Sequence, residues 1–321
     1  MTKIPRTLSL LMAGTLSLPA VNAAVAESYP DMNMTYIVAA GVGGGTDVMT
    51  RTLVSVIEQK GLLPDGVRIL VENRPGGSGA IGYTHIDSHK GDAYMLGGVG
   101  VSFFTTPLLR EMPYNYESFT PLAAVARSPY IFVVRSQSPI ESLDDIKTAT
   151  GLKVGSVGAV ADEALLTHLV NEKLGASVKV IPYDGGGEVI AAVLGGHLDV
   201  MWGNPNEMLE QVRSGAMRPL AVSAPERIPE LPDVPTFEEL GYDIDHTQLR
   251  GIIMPADVPP EAVSFWEGVM KTVAESDEWR AAYLDKFNEI SLFMDSREFG
   301  AEMVETSARY EDLMRELGLI E

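Results

Sequence analysis

The chain has 321 residues, 45% of them hydrophobic, no cysteine, and 44 acidic against 24 basic side chains, for a formal net charge of −20. So acidic a surface excludes nucleic acid and anionic membranes as partners. The lack of cysteine excludes disulfides, thiolate nucleophiles and Cys-ligated metal, so two domains of ordinary size must be stabilised by their apolar cores.

Lys3 and Arg6 precede an apolar run from Leu8 to Leu18 and then small residues, the pattern of a secretory signal peptide over 1–26 with cleavage after Ala23 or Ala26. No later stretch approaches the roughly 20 apolar residues of a membrane span, so a soluble periplasmic protein is expected. The remaining acidity reads as a solvated face suited to a salty medium, where screening over about 8 Å hides it from a binding site.

Thr35 to Ala39 reads as the first strand. It runs into Gly41-Val-Gly-Gly-Gly-Thr-Asp47, after which Met49, Leu53, Val56 and Ile57 mark one helix face that stops at Gly61. Glycines let a ligand approach the backbone, and the free amides of a first helical turn, with the positive end of the dipole, cradle a carboxylate or phosphate. A P-loop would need Lys-Ser/Thr where Thr46-Asp47 stands, and a dinucleotide fingerprint would need glycine at Thr46. Asp47 at the mouth would repel a polyphosphate, which favours a small carboxylate. A plain turn, with Thr46 or Asp47 capping the helix, accounts for the same residues about equally well.

Val67 to Val71 is the second strand, leading into Glu72-Asn-Arg-Pro-Gly-Gly-Ser-Gly-Ala-Ile-Gly82. Tyr94 to Gly97 is the third, followed by an expected loop through Ser102 and Phe103 to Pro107. Gly76-Gly-Ser78-Gly-Ala80 misses the G-x-S-x-G nucleophile elbow at its last residue. His85 and His89 could share a helix face but have no third ligand at a suitable spacing. From Ala123 the chain runs through apolar Tyr130 to Val134 into a second set of units. Lys153 to Val157, Val178 to Ile181, Asp199 to Trp202 and Leu220 to Val222 read as strands. Helices lie around Glu163 to Leu174, Glu188 to Leu194 and Asn206 to Arg213, the first and last closed by Gly175 and Gly215. Gly251 to Met254 returns as a strand toward the first domain. Pro259-Pro260 opens a helix with Val263, Trp266, Val269, Met270 and Val273 on one face, and Phe299, Met303, Tyr310, Leu313 and Leu317 line a last amphipathic helix. The alternation predicts an α/β protein.

Taken together, these residues resemble the Bug-type periplasmic solute receptors, the substrate-binding components of tripartite tricarboxylate transporters. The resemblance rests on the order and spacing of Tyr29-Pro30, the Gly-Gly-Gly-Thr-Asp47 loop with Arg51, the Glu72-Asn-Arg-Pro-Gly run and Met112-Pro-Tyr-Asn115. Val180-Ile-Pro-Tyr-Asp-Gly185, Gly195-Gly-His-Leu-Asp199, Gly215-Ala-Met-Arg-Pro-Leu-Ala221 and Leu231-Pro-Asp-Val-Pro-Thr236 continue it. It implies a two-lobed periplasmic binding protein fold, type II-like, each lobe a mixed, largely parallel sheet flanked by helices. Lobe 1 would be 27–122 with 252–321, lobe 2 would be 123–251, and the ligand cleft would lie between them. It further implies a receptor without enzymatic activity, cofactor or metal: a monomer that captures a small organic carboxylate and delivers it to the integral-membrane permease subunits of a tripartite tricarboxylate transporter.

Carried over by position, the ligand contacts would be Gly43, Gly44, Thr46, Asp47, Ser102 and Phe103 on lobe 1, and Gly158, Ala161, Asp162, Tyr183, Gly203 and Asn204 on lobe 2. Gly158-Ala-Val-Ala161 departs from the family's Gly-Asn-Gly-Ser, Ala164 from a histidine, Val42 from a proline, and Phe103-Phe104 from smaller residues. The pocket is therefore expected to keep one carboxylate clamp and a more apolar far end, suited to an aromatic or longer-chain carboxylate. Asp47 and Asp162 could instead read an amino group or serve only as helix N-caps, and the Glu72 to Gly76 run reads as scaffold in which Arg74 pairs with Glu72. Two alternatives of other classes remain: a receptor feeding a sensor kinase, and a secreted hydrolase of a carboxylated substrate.

Overall fold

A computed structural model describes residues 29–157, 161–183, 185–316 and 318–321; the expected signal segment and Gly158 lie outside them. In chain order the first unit is β1 (Met34–Val38), α1 (Gly45–Gln59), β2 (Ile69–Asn73), α2 (Ala80–Asp87), β3 (Met95–Gly98), α3 (Val101–Leu109) and β4 (Phe119–Pro129). The second is β5 (Ile131–Arg135), α4 (Leu143–Thr148), β6 (Leu152–Val157), α5 (Asp162–Leu174), β7 (Val178–Tyr183), α6 (Gly186–Leu194), β8 (Val200–Gly203), α7 (Pro205–Arg213) and β9 (Met217–Val222). The chain then returns through β10 (Thr247–Pro255), α8 (Pro260–Ala274), α9 (Asp277–Trp279), a π-helical turn (Arg280–Leu284), α10 (Asp285–Phe287), β11 (Ile290–Met294) and α11 (Ser296–Glu316).

Two mixed sheets result, ordered β11-β4-β10-β3-β1-β2 and β7-β6-β8-β5-β9. Each has a parallel βαβ portion, with β1 beside β2 and β3, and β6 beside β7 and β8, completed by antiparallel strands. The period-2 alternation of β1 divides the first lobe's core. Tyr36 and Val38 face Leu53, Ile57 and Trp266 of α1 and α8, while Ile37 and Ala39 face Tyr83, Phe103 and Phe299. In the second lobe Phe132 and Val134 pack with Trp202 and Phe237, while Ile131 and Val133 pack with Val189 and Met208. Each fully buried side chain of this kind contributes about 2 kcal/mol. An exposed ion pair such as Arg68–Glu58 contributes about 0–1 kcal/mol, so the cores and not the charged face hold the fold.

Two differences from the sequence reading have physical causes. The span from Val101 to Leu109 is helical, not a loop, with Pro107 inside it. Its β-branched and aromatic residues are modest helix formers, but packing of Val101, Phe103 and Phe104 against the core overrides propensity. The expected lobe boundaries at 122/123 and 251/252 fall inside β4 and β10, which pair with each other from Phe119–Pro255 to Pro129–Thr247 in the first sheet. Val125, Ala126 and Leu249 carry the buried pattern past those points, and the two strands stay paired there through register shifts at Arg250/Gly251 and Ile252/Ile253.

The chain crosses between the sheets at Tyr130 and again just before Thr247. Ser223 binds both crossings. Its amide donates to the Tyr130 carbonyl at 2.9 Å, and its hydroxyl donates to the His246 carbonyl at 2.7 Å. The Tyr130 amide in turn donates to the Ser223 hydroxyl at 3.0 Å. Among the described residues no helix is long and apolar enough to cross a membrane.

Candidate functional site

The glycine loop after β1 delivers the start of α1 to the gap between the lobes. Gly43 has φ +83°, a left-handed conformation that favours glycine, and Gly44 is the extended N-cap residue with no side-chain cap of its own. Asp47 stands in the third position of the helix and is nearly fully buried. Its carboxylate accepts from the Gly43 amide at 2.9 Å, from Arg51 Nε at 3.0 Å and from Asn73 Nδ2 at 2.9 Å. Burial pushes this carboxyl up, but the bonds from Arg51, Gly43 and Asn73 outweigh it and hold the pKa below the usual range. Asp47 is therefore a strut that fixes the loop from within lobe 1 and is not an N-cap. Arg74 pairs with Glu72 at 2.8 Å, in the scaffold role expected of that run.

Asp162 opens α5 on lobe 2, with Ala161 as the N-cap residue, so it is not an N-cap either. It is completely buried. Three groups surround its carboxylate: the Tyr130 hydroxyl at 2.7 Å, the Tyr310 hydroxyl at 2.8 Å and His246 Nε2 at 2.7 Å. Tyr310 belongs to α11, so this cluster links the lobes, and Leu165 of α5 packs into the first lobe's core beside it. The next residue, Glu163, is pushed up to about 8 by burial and by the neighbouring Asp162 and Glu207 charges. It is held by the Ser156 hydroxyl at 3.4 Å.

A third cluster joins α1 to α7. Glu207, in the first turn of α7, accepts from the Gly45 amide at 3.0 Å across the lobes and from the Asn204 amide behind it. Gly186, the first residue of α6, lies alongside: a Cβ placed there would sit 3.6 Å from Glu207 Oε1. Burial raises the Glu207 carboxyl, and the nearby Arg250 guanidinium partly offsets it. Arg250 is fully buried on β10. Its Nε donates to Ser128 Oγ at 2.8 Å and its Nη2 to Asn204 Oδ1 at 3.0 Å, while its Nη1 has no hydrogen-bond partner among the described residues. Behind it, Glu289 accepts from Ser128 and is pushed up to about 7, chiefly by burial.

A cavity of about 390 Å³ adjoins the Asp162 cluster through His246 and Tyr310, within the usual range for a small-molecule site. Gly100, Val101 and Phe104 from the start of α3, the crossing segment from Asp245 to Leu249, and Thr306 to Leu313 of α11 line it. A Cβ on Gly100 would lie 3.6 Å from Thr46 Oγ1 and 3.7 Å from Gln248 Nε2, so Thr46 borders this space.

Of the residues expected from sequence, Gly43 and Gly44 lie in the loop that starts α1, Thr46 lies near Gly100 at the cavity's edge, and Asp47 braces that loop. Ser102 turns toward Gly79 and Tyr83: its Oγ lies 2.7 Å from where a Cβ on Gly79 would be. Phe103 is fully buried among Tyr83, Phe104 and Phe119, and Phe104 is the member of the pair that reaches the cavity. Tyr183 ends β7, part-buried at the lobe-2 core. Gly203 leaves room for Met208, and Asn204 links Arg250 to the Pro129 carbonyl. The sequence reading did not single out Tyr130, Glu207, His246, Arg250 or Tyr310 as site residues. Only Arg250 carried a signal, a charge inside an apolar strand. His89 Nδ1 bonds back to the His85 carbonyl, and among the described residues no three His, Asp or Glu are placed to hold a metal.

Two α/β lobes joined by crossing strands, with helix N-termini meeting between the lobes near a cavity, define a solute-binding protein. Residues 60–319 match the tripartite tricarboxylate transporter family receptor model, TctC, and the chain belongs to that family. It is 32% identical to the protein BugT of Bordetella pertussis over 231 residues, 68% of each chain. Its fold is shared with the periplasmic binding protein BugD (TM-score 0.82, 24% identity, covering 91% of this chain and 99% of that one). It is also shared with Rpa4515 of R. palustris, solved with adipate (TM-score 0.83, 23% identity, 90% and 98% covered).

Proposed function

We propose that this protein is a periplasmic receptor that encloses one small carboxylate between its lobes and presents it to the permease subunits of a tripartite tricarboxylate transporter. The observation that carries the reading is the meeting of helix starts across the cleft. The first residues of α1 and α6 and the first turn of α7 converge, each with the positive end of a helix dipole, and Thr46 of α1 lies near Gly100 at the edge of a cavity of small-molecule size. The cavity's lining is mixed, with Val101, Phe104, Leu249 and Leu313 beside Arg127, His246, Gln248 and Arg309, which suits a carboxylate that also carries a hydrocarbon body. The adipate bound by Rpa4515 has that character. Asp47 and Asp162 each already accept three hydrogen bonds, which argues against either reading a ligand's amino group.

Ligand contacts on both lobes would favour the closed arrangement, which a permease would recognise. Thermal shift and calorimetry against dicarboxylates of increasing length, citrate, aromatic acids and amino acids test the reading. A ligand at about 100 times its Kd should add about 2.7 kcal/mol of stability. Stronger binding of citrate or of an amino acid than of any dicarboxylate or aromatic acid would refute the preference for a hydrocarbon body, and no binding across the panel would refute the carboxylate reading. Gly44→Trp should abolish binding while leaving the fold intact, because the backbone there is unstrained and a Cβ meets only the Gly41 carbonyl at 3.6 Å.

A further inference from the structure

Part-buried Glu207 and fully buried Arg250 stand at the start of α1, where a ligand's carboxylate is expected, and neither is accounted for by scaffolding alone. Glu207 serves its own helix by accepting from the Asn204 amide, an ordinary capping interaction. Its Oε1 also reaches across the cleft to the Gly45 amide at 3.0 Å, the first donor of α1, and the adjacent Asn206 Nδ2 lies 3.4 Å from the Gly45 carbonyl. A side-chain carboxylate from one lobe thus sits on the helix N-terminus of the other, in the way a free carboxylate would.

Beside it lies an incompletely used cation. The Arg250 guanidinium packs directly on Gly45, where a Cβ would fall 2.8 Å from Nη2 and 3.3 Å from Nη1. Nε and Nη2 are committed to Ser128 and Asn204, but Nη1 has no acceptor among the described residues although the side chain is wholly buried. A buried guanidinium edge without an acceptor is costly, and its planar fork suits a carboxylate. Glu207 is not within ion-pair distance of it, so the edge and the Gly45 amide offer an anion more together than Glu207 takes from them.

We propose that Glu207 is a built-in surrogate ligand. Its carboxylate latches the lobes at the start of α1, and an incoming carboxylate displaces it to take the Gly45 amide together with Arg250 Nη1. The proposal rests on the carboxylate-receptor reading for its second half only. Displacement makes the latch a competitor, so apparent affinity is reduced by the fraction of molecules whose latch is open.

The test compares wild type with Glu207→Ala by small-angle scattering without added solute, and by calorimetry with succinate and adipate as probes. Removal of the latch should expand the unliganded particle and tighten probe binding about tenfold. Arg250→Lys, which keeps the charge but loses the fork and its bonds to Ser128 and Asn204, should lower Tm by several degrees and weaken the same binding about tenfold in protein that is still folded at the assay temperature. Identical scattering for wild type and Glu207→Ala overturns the latch, and unchanged or weaker probe affinity in Glu207→Ala overturns the competition. If neither protein binds any probe, the carboxylate reading fails, while expansion of Glu207→Ala still establishes the latch and its absence still overturns it.

Discussion

Asp47 and Asp162 occupy matching places on opposite walls of the cleft, each buried in the first turn of a helix and each accepting three hydrogen bonds, yet their partners differ in kind. Asp47 is satisfied entirely within lobe 1, by Gly43, Arg51 and Asn73. Asp162 depends on the two crossing segments, through Tyr130 and His246, and on α11 of the other lobe through Tyr310. The first arrangement keeps its wall in one shape whatever the lobes do. The second is complete only when the lobes are together, so the same chemistry serves rigidity on one side and coupling on the other.

Substitution at Asp47 should give the largest effect on stability. Asp47→Ala leaves the Gly43 amide and Asn73 without their acceptor and should cost about 3 kcal/mol, lowering Tm by about 6 °C or more with no change in scattering profile. A changed profile at unaltered Tm would break the contrast. Next comes pH. Glu163 and Glu289 are pushed up to about 8 and about 7 from an ordinary 4.5, so the folded state keeps protons that the unfolded chain has already lost. Their contribution is fully present below about pH 4.5 and decays as pH rises through 7 and 8. Asp47 works the other way, its contribution vanishing only in strong acid. Thermal melts should therefore show a stability maximum near pH 5 and a steady loss between about pH 5 and pH 8, with Glu163→Gln flattening the slope. The smallest effect belongs to Tyr310→Phe, which removes one bond to Asp162 and should cost about 1 kcal/mol. Unlike Asp47→Ala, it should also expand the particle and weaken ligand binding severalfold. Equal scattering for Tyr310→Phe and wild type would show that Asp162 does not couple the lobes.

The parts of this arrangement that are local in sequence were legible there. The Gly-Gly-Gly-Thr-Asp loop starts α1 where its glycines and apolar spacing place it, and Arg51 meets Asp47 because residues four apart share a helix face. The extent of α3 was not legible, since Pro107 and a run of poor helix formers mask a segment stabilised by burial. Nor was the start of α2, whose N-cap Gly79 sits in a left-handed turn that reads as loop. Arg250, Glu207 and Tyr310 escaped for a different reason. Each acts on a partner in another part of the chain, and only the docking of two lobes brings them together, which no periodicity records.

The two crossings meet at one residue. Ser223 hydrogen-bonds Tyr130 and His246 on either side, and the β4/β10 ladder begins immediately beyond them. Ser223 thereby ties the two crossings to each other at the junction of the sheets, the place about which lobes closing on a solute would turn. A donor fluorophore on exposed Val42 and an acceptor on exposed Leu194 would then report solute capture as an optical signal, with no need to label the site itself.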